Sequence, residues 1–379
     1  MQKPYTLIIP SWFPTADQPI NGVFIEKHVE AISTFRNVVV MYVAGEKNKC
    51  KEENVISPSY LRYKHLYANS PSRAFNQIKY IWAQFKAYRY LTRKFGKPEL
   101  IHLHVVFPAG IFVYLLLLFD RIPLIITEHW TGYLAEDGRY ARQSAIIKKI
   151  TRTLFSKARK CSVVSEYFMD ILSDWKLIDR RRLSIVYNIL AIPTEDVVKK
   201  EENDLKGLYV GSLNDTHKNI SVLINAVEIV SHKYPSFTMT LVGGGDETEH
   251  FMQMASAKGL LNTVIFFKGF VPNNQLTEIY RAHGFFILTS NFETFNIAAA
   301  EAMLSGLPVV STRCGGPTEF VNEKTGIWID HTNADETANA IIKLIENRSA
   351  FDARSIALQT REKFSYNKIL EQLKELYRD

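Results

Sequence analysis

The chain has 379 residues, of which 46% are hydrophobic and 22% charged; this composition is typical of a globular and not of a disordered protein, and the length predicts two domains of ordinary size. Residues 1–190 carry 28 Lys and Arg against 15 Asp and Glu (net +13), whereas residues 191–379 carry 18 against 24 (net −6), so we expect two domains with different partners. No nucleic-acid-binding motif accompanies the basic half, which therefore predicts contact with an anionic membrane surface or a lipid diphosphate, and not with nucleic acid.

The sequence predicts neither export nor a membrane span. Its first ten residues hold too short an apolar run for a signal peptide, and the longest apolar run, residues 109–119, is too short to cross a bilayer. The cysteines Cys50, Cys161 and Cys314 have no paired or metal-ligand spacing and predict reduced thiols. We therefore expect a cytoplasmic protein, at most peripheral on the inner face of the plasma membrane.

Short apolar segments alternate with longer segments of helical period, a pattern typical of parallel α/β sheets. A polar, proline-punctuated stretch, residues 191–206, predicts the linker between the two halves. The final residues, 364–379, predict an amphipathic helix. The predicted strands are Tyr5–Ile9, Val38–Val43, Leu100–His104, Leu124–Thr127, Ser162–Val164, Ser184–Val186, Leu208–Val210, Met239–Val242, Val264–Phe267, Phe285–Leu288, Val309–Ser311 and Gly326–Ile329.

Residues 71–97 predict a long helix with two kinds of surface. The positions that share one apolar face, and for which we predict burial in the core, are Ile78, Ile81, Phe85, Tyr88 and Phe95. The other faces combine Trp82 with lysines and arginines, a pattern typical of a helix at a membrane interface but also of a solvated basic face.

Ligands of parallel sheets bind beyond the carboxyl ends of the strands, so the loop after the first strand is a candidate site. Asn21 and Gly22 lie in this loop, just before a helix that carries His28. Gly22 allows the backbone to approach a ligand closely, although a simple turn glycine explains it equally well.

Histidines mark two further strand ends. His102 and His104 alternate along one predicted strand and therefore share a face of the sheet. His129 directly follows another strand, and this location makes a functional role more expected than it would be for a lone histidine elsewhere. Glu128 and Tyr133 lie close to it in sequence and are candidates for contacts to a second substrate.

The stretch from Ser290 to Glu319 carries two carboxylates, Glu293 and Glu301, around the predicted start of a helix near Asn296. Eight residues of helical rise span about 12 Å, and the amides at a helix N-terminus bind anions. This spacing matches a nucleotide sugar, with Glu301 on the ribose hydroxyls, Glu293 on the sugar hydroxyls and the diphosphate between them.

The same stretch resembles the donor-site signature of family 4 retaining glycosyltransferases. The residues that carry the resemblance are the two glutamates seven residues apart, EAM-x-SGLPVV from Glu301 and GGPTE from Gly315. The resemblance implies an α/β protein with the GT-B fold, in which two Rossmann-like parallel-sheet domains face each other across a cleft. It places the acceptor domain at residues 1–190, with the final helix crossing back to it, and the donor domain at residues 191–363.

Site residues follow from the resemblance position by position. It implies that His129, Glu293 and Lys218 are catalytic, that the diphosphate contacts Lys218, and that acceptor contacts come from Asn21, Gly22, His28, Glu128 and Tyr133. Two positions depart from the family, Asn296 where Gly is frequent and Ser212 where Arg is usual, and Arg313 is a candidate replacement for that Arg. The implied donor-binding residues are Gly22, Gly211, Ser212, Lys218, Gly244, Phe270, Val271, Glu293, Thr294, Phe295, Asn296, Ile297 and Glu301.

The resemblance implies transfer of a sugar from a nucleoside diphosphate to a hydroxyl of a glycan or lipid-linked acceptor, with retention of anomeric configuration, in cell-surface polysaccharide assembly. The chain has no Asp-x-Asp pair, so we expect no cofactor and no metal at the diphosphate, whose charge the helix N-terminus and Lys218 would neutralise. A nucleotide-sugar epimerase of the same fold, or a non-catalytic sugar-nucleotide binder, remains an alternative.

Overall fold

A computed structural model of the chain describes residues 4–15, 18, 20–46, 52–56, 60–70, 72–191, 204–330 and 332–378. The chain divides into two compact units. Unit 1 comprises Met1–Tyr133, Gly138–Ile189 and Asn367–Asp379, and unit 2 comprises Leu134–Asp137 and Leu190–Tyr366. Most of the predicted linker, residues 192–203, lies outside the described residues, as does Cys50.

Unit 1 is built on an eight-stranded sheet in the order β3-β4-β2-β1-β5-β6-β7-β8, parallel except for β3, which pairs antiparallel with β4. Its strands are β1 (Thr6–Pro10), β2 (Val38–Glu46), β3 (Glu52–Ile56), β4 (Leu61–Ala68), β5 (Leu100–His104), β6 (Leu124–Glu128), β7 (Lys160–Val163) and β8 (Leu183–Ile185). Its first five helices are α1 (Val23–Ser33), α2 (Arg73–Phe95), α3 (Gly110–Leu116), α4 (Ala145–Lys157) and α5 (Glu166–Asp174).

Unit 2 has a six-stranded, wholly parallel sheet in the order β11-β10-β9-β12-β13-β14. Its strands are β9 (Lys206–Val210), β10 (Thr238–Val242), β11 (Ile265–Gly269), β12 (Phe285–Leu288), β13 (Val309–Thr312) and β14 (Gly326–Ile329). The helices that complete the chain are α6 (Asp215–Lys218), α7 (Ile220–Lys233), α8 (Thr248–Ala257), α9 (Asn273–Arg281), α10 (Ile297–Leu304), α11 (Ala334–Glu346), α12 (Ala353–Phe364) and α13 (Tyr366–Tyr377).

The central strands are buried along their whole length, as their uninterrupted apolar sequences require when helices cover a parallel sheet. In β1 and β12, every residue is buried. All twelve predicted strands are confirmed, and so is the C-terminal helix, found as α13, whose apolar residues Ile369, Leu373 and Tyr377 are buried.

Two predictions about the region before residue 97 are corrected. Strands β3 and β4 were not expected, because charged residues and His65 interrupt the apolar pattern of β4. In α2, Ile78 and Phe85 do not lie in the core but are 62% and 37% exposed. The buried face of α2 instead combines the small or polar side chains of Ala83, Gln84 and Ala87 with the larger ones of Tyr88 and Leu91.

Candidate functional sites

In unit 2, Glu293 lies in the turn between β12 and α10, and an isolated parallel bridge to Gly315 fixes its backbone. The Glu293 amide donates to the carbonyl of Cys314 at 2.6 Å, and the Gly316 amide donates to the carbonyl of Glu293 at 2.9 Å. A Cβ atom on Gly316 would lie 2.4 Å from the carbonyl oxygen of Thr294, so only glycine permits this close approach. The Gly-Gly turn therefore holds Glu293 in place.

The Glu293 carboxylate is buried, and three donors converge on its Oε1 atom. Lys218 Nζ, Ser290 Oγ at 2.8 Å and Asn296 Nδ2 at 2.9 Å donate to it. Among the described residues, no donor contacts Oε2. Burial opposes ionisation, but the Lys218 ammonium, assisted by His217, holds the pKa of the Glu293 carboxyl well below its usual range. The site thus offers an ionised carboxylate with one oxygen available to a hydroxyl donor.

Asn296 begins α10 from a left-handed backbone conformation, with φ of 70°. Asparagine adopts this conformation more readily than other non-glycine residues, which explains why it can replace the glycine that is frequent here in the resembling family. Its Oδ1 atom accepts from the Ala299 amide at 2.8 Å while its Nδ2 atom reaches Glu293. The substitution therefore retains the turn and adds a side chain that joins the helix start to the carboxylate.

Lys218 is the last residue of the short helix α6, and two contacts hold this helix against the turn that carries Glu293. Thr289 Oγ1 donates to the Lys218 carbonyl at 2.8 Å, and the Asn291 amide donates to the His217 carbonyl at 2.8 Å. An ammonium has three N–H donors, of which Glu293 takes one. Together with the amides of the first turn of α10, such as those of Ile297 and Ala298, this ammonium can neutralise an anion.

Glu301 lies one turn further into α10 and is also buried. Its Oε1 atom accepts from the Ala191 amide at 2.9 Å, and its Oε2 atom accepts from the Tyr280 hydroxyl at 3.3 Å. Burial, partly offset by these two hydrogen bonds, raises the pKa of Glu301 to about 7. The carboxylates of Glu293 and Glu301 therefore differ: one is firmly ionised and the other titrates near neutral pH.

Glycines allow the loops after β9 and β10 to pack closely against each other. A Cβ atom on Gly243, which has φ of 128°, would lie 1.9 Å from the carbonyl oxygen of Gly211. The Leu213 amide donates to the Gly244 carbonyl at 3.0 Å. Ser212 is exposed, and its Oγ atom accepts from Asn214. Arg313, the candidate replacement for the missing arginine, lies over the Trp328 ring at 4.7 Å.

The remaining predicted donor residues fall into two groups. Phe270 is 52% exposed and Val271 is partly exposed, just after β11. Thr294 is buried, and the ring of Phe295 packs against Phe320 and Phe364 at centroid distances of 5.5 and 5.2 Å. The Phe295 side chain thus belongs to the core, and a ligand contact at this position falls to its backbone.

In unit 1, Gly22 precedes α1 with φ of 73°, and a Cβ atom there would lie 2.5 Å from the carbonyl oxygen of Trp12. Close packing of two backbone segments thus explains this glycine, and its proposed ligand contact stays a prediction. Asn21 is partly exposed and donates through Nδ2 to Gln18.

Glu128 ends β6 with a fully buried carboxylate, which accepts hydrogen bonds from the amides of Val106, His129 and Trp130 and from the Tyr133 hydroxyl. Burial raises the pKa of Glu128, and the hydrogen bonds act against that rise. Tyr133 is itself buried. The acceptor contacts predicted for Glu128 and Tyr133 stay predictions, and either would require these internal hydrogen bonds to be exchanged.

All four histidines singled out in unit 1 lie close together, and the rings of His102 and His104 have centroids 4.1 Å apart. His28 on α1, His104 at the end of β5 and His129 after β6 are buried, with ring centroids 5.8 to 6.0 Å apart. Burial lowers the pKa of each ring, to about 4 for His28. His102 lies beside them but contacts the Tyr377 hydroxyl and Thr127 Oγ1, both at 2.7 Å.

Two site residues were missed from the sequence. His217 lies 3.7 Å from Glu293 Oε1, and its ring Nε2 donates to the Phe292 carbonyl at 2.7 Å, since a carbonyl oxygen only accepts. Its position directly before Lys218 is the signal that could have revealed it. Tyr280, on α9, donates to Glu301 on α10. No local sequence pattern indicates this contact, because the two residues lie on different helices.

Comparison with known families supplies the class of the protein. The model described as "Glycosyl transferases group 1" matches residues 193–370, and the model "Glycosyltransferase Family 4" matches residues 36–190. The two cover most of the chain, and the resemblance found in the sequence is confirmed. The chain belongs to the family 4 glycosyltransferases and has the GT-B fold.

Individual relatives agree with this family. An uncharacterized glycosyltransferase of Methanocaldococcus jannaschii is 23% identical over 359 residues, which are 94% of this chain and 93% of that protein. The sucrose-phosphate synthase of Thermosynechococcus elongatus has a similar structure, with a TM-score of 0.76, 19% identity and coverage of 99% of this chain and 98% of that one. HepE of Anabaena, solved with UDP and glucose, has a TM-score of 0.72 and 17% identity, with 98% of both chains covered.

Proposed function

We propose that this glycosyltransferase moves a hexosyl group from a nucleoside diphosphate sugar to a hydroxyl of a glycan or lipid-diphosphate-linked acceptor, with retention of anomeric configuration, in cell-surface polysaccharide assembly. The observation that carries the donor part is the convergence of Lys218, Glu293 and the start of α10 in unit 2. It combines a cation, an anion-binding helix terminus and an ionised hydroxyl acceptor. HepE, of similar fold, was solved with UDP and glucose, which supports a nucleotide sugar as donor.

The proposed reaction uses no protein nucleophile. It depends instead on stabilisation of the departing phosphate. Lys218 and the first amides of α10 oppose the negative charge that develops on the leaving diphosphate. The leaving phosphate oxygen takes the proton of the attacking acceptor hydroxyl on the same face of the sugar, so the configuration is retained. Glu293 Oε2 accepts a hydrogen bond from a sugar hydroxyl and fixes the sugar, and a catalytic contribution of His129 stays a prediction.

The diphosphate site is proposed to work without a bridging metal ion. A Mg²⁺ ion at a diphosphate is held by carboxylate oxygens. Glu293 lies beside the start of α10, but its Oε1 atom is engaged by Lys218 and its Oε2 atom is assigned to a sugar hydroxyl. The Lys218 ammonium supplies the positive charge that such an ion would bring.

Donor turnover without an acceptor separates the proposal from its alternatives. We would incubate the protein with UDP- and GDP-hexoses alone and follow nucleotide and sugar by mass spectrometry and NMR. A retaining transferase is expected to hydrolyse one donor slowly and release nucleoside diphosphate with free sugar. An epimerised nucleotide sugar would establish the epimerase instead, and binding without any turnover would contradict the expected donor hydrolysis.

Glu301→Gln is expected to weaken binding of the preferred nucleoside diphosphate about 10- to 100-fold, because a neutral amide accepts ribose hydroxyl hydrogen bonds less strongly than a carboxylate. The pKa of Glu301 is raised to about 7, and hydroxyl donors favour the ionised form. Wild-type affinity should therefore rise more than that of the variant as pH increases through about 7, because the terminal phosphate of the ligand titrates at about pH 6 in both cases. Isothermal titration calorimetry at pH 6 and 8 measures both effects.

Inorganic pyrophosphate serves as the control ligand for Glu301→Gln, since it lacks the ribose. Its affinity is expected to be the same for the wild type and the variant. A variant that binds the nucleoside diphosphate as tightly as the wild type would remove Glu301 from the ribose site.

We propose that α2 places the protein on an anionic membrane surface. Phe75, Ile78, Trp82 and Phe85 recur at helical spacing and are 50%, 62%, 71% and 37% exposed. The 23 residues of α2 contain six Lys and Arg and no Asp or Glu. An exposed apolar stripe on a helix whose charged residues are all basic is typical of a helix that inserts apolar side chains among anionic headgroups. Within the described residues, no helix is both long and apolar enough to cross a membrane.

Trp82→Ser is expected to lower partitioning to vesicles that contain anionic lipid about tenfold, because it removes the most exposed side chain of the stripe. Vesicle co-sedimentation at low and high salt measures the bound fraction. Binding of the wild type should fall at high salt as charges are screened. Phe119→Ser, at an aromatic residue that is 84% exposed outside α2, is the matched control and should bind normally. Equal binding to neutral and anionic vesicles would contradict the proposal.

A further inference from the structure

The three neighbouring histidines of unit 1, His28, His104 and His129, have the arrangement of a metal-ligand set. One nitrogen from each ring can be chosen so that all three lie within 4.8 Å of one another. The three rings come from different elements, α1, the end of β5 and the residue after β6. Because the sheet and α1 fix their positions, the convergence is a property of the fold and not of a mobile loop.

His28 has the hydrogen-bond pattern of a metal ligand. Its Nε2 atom lies 2.9 Å from the carbonyl oxygen of Tyr187, and because a carbonyl only accepts, Nε2 must carry the proton. In the neutral ring, Nδ1 then presents a bare lone pair, and this buried atom has no hydrogen-bond partner among the described residues. Histidines that bind metals characteristically donate their other N–H to a backbone carbonyl or carboxylate.

His104 adds a second, independent observation. Its side chain is fully buried, and neither ring nitrogen has a hydrogen-bond partner among the described residues. Buried polar atoms are nearly always satisfied, so two such nitrogens on one ring call for an occupant of the space beside them. A metal ion and a buried water molecule are the two occupants that lone pairs of imidazole would hold.

The ring positions agree with a single ion at the centre. The pairwise centroid distances are 6.0 Å for His28 and His104, 5.8 Å for His28 and His129, and 5.8 Å for His104 and His129. A point equidistant from the three centroids therefore lies about 3.4 Å from each, and a zinc–nitrogen bond of 2.0–2.1 Å puts the ion about 3.2 Å from a ligand's ring centre. Binding of one ion thus requires the three ring nitrogens, which now lie within 4.8 Å of one another, to move closer together.

We propose that His28, His104 and His129 bind one late first-row divalent ion of the Zn²⁺ class through three imidazole nitrogens, with a fourth position open. Imidazole ligands favour zinc, copper, nickel and cobalt over magnesium and calcium, which prefer oxygen. The nearby carboxylate of Glu128 is occupied by its own four donors. The resemblance gives His129 a catalytic role and His28 an acceptor contact, so metal binding would be a different use of these two side chains. Direct metal binding is therefore measured separately from transferase activity.

The test is direct metal binding by the full chain after dialysis against a chelator. Equilibrium dialysis with Zn²⁺ and visible spectroscopy with Co²⁺ are expected to show one equivalent per chain and the intense absorption of four-coordinate cobalt. His104→Gln should weaken this binding at least 100-fold. His102→Gln is the matched control, since His102 is a buried histidine on the same strand whose two ring nitrogens already have partners, and it should bind like the wild type.

Two outcomes would overturn the proposal: a wild-type chain that takes up no stoichiometric Zn²⁺ or Co²⁺, which would leave water as the occupant, or binding that persists unchanged in His104→Gln. If His104→Gln does not fold, X-ray absorption of the zinc-loaded wild type decides the question. Three imidazole nitrogens at about 2.0–2.1 Å are expected, and fewer than three would refute the triad.

Discussion

Lys218→Ala is expected to weaken binding of nucleoside diphosphate about 100-fold and to lower kcat/KM by a larger factor. The ammonium neutralises the diphosphate in the ground state, and it is needed more strongly when negative charge develops on the leaving phosphate. Calorimetry with the nucleoside diphosphate and initial rates of donor turnover measure the two effects separately.

A double variant distinguishes this role from a purely structural one. Lys218→Ala alone leaves the buried, ionised Glu293 without its cation, and orphaned buried charges are strongly destabilising. Lys218→Ala combined with Glu293→Gln removes both charges and should recover the thermal stability. If Lys218 contacts the diphosphate, the double variant still binds it weakly. Recovery of nucleotide affinity together with stability would contradict that contact.

Glu293→Gln is expected to lower kcat about 100-fold without weakening nucleoside diphosphate binding. The ionised carboxylate is assigned to a sugar hydroxyl, and a charge-assisted hydrogen bond of this kind contributes about 1.5–3 kcal/mol. Because the variant removes a negative charge close to the diphosphate, the affinity for that anion should stay equal or increase. Steady-state kinetics and calorimetry on the same preparation check both statements.

Glu323→Gln is the matched control for Glu293→Gln, because Glu323 is an exposed glutamate of the same unit outside the site. It is expected to leave kcat and affinity unchanged. A parallel loss of nucleotide affinity and kcat in Glu293→Gln would show that Glu293 acts on the nucleotide and not on the sugar.

The sequence predicted the elements whose signals are local. A polar turn followed by alanines predicted that α10 starts near Asn296. The observed helix begins one residue later, at Ile297. The interior strands were predicted from uninterrupted apolar runs, which buried parallel strands require. Strand β4 was missed because its sequence, LRYKHLYA, mixes charged and apolar residues near the edge of the sheet.

Tertiary contacts decided what the sequence left open. The helical period of α2 was predicted, but not which face is buried, because packing against β2 and β4 selects the face with Ala83 and Ala87 over the bulkier Ile78 and Phe85. Likewise, the link from Asn296 to Glu293 joins residues three apart whose contact depends on the left-handed turn.

A crystal structure of the protein with its nucleoside diphosphate tests the central claim most directly, because that claim concerns the position of the donor in unit 2. We expect phosphate oxygens about 2.7–3.1 Å from Lys218 Nζ and from amides at the start of α10, with the ribose hydroxyls on Glu301. A nucleotide bound elsewhere, or a diphosphate out of reach of both Lys218 and α10, would contradict the account.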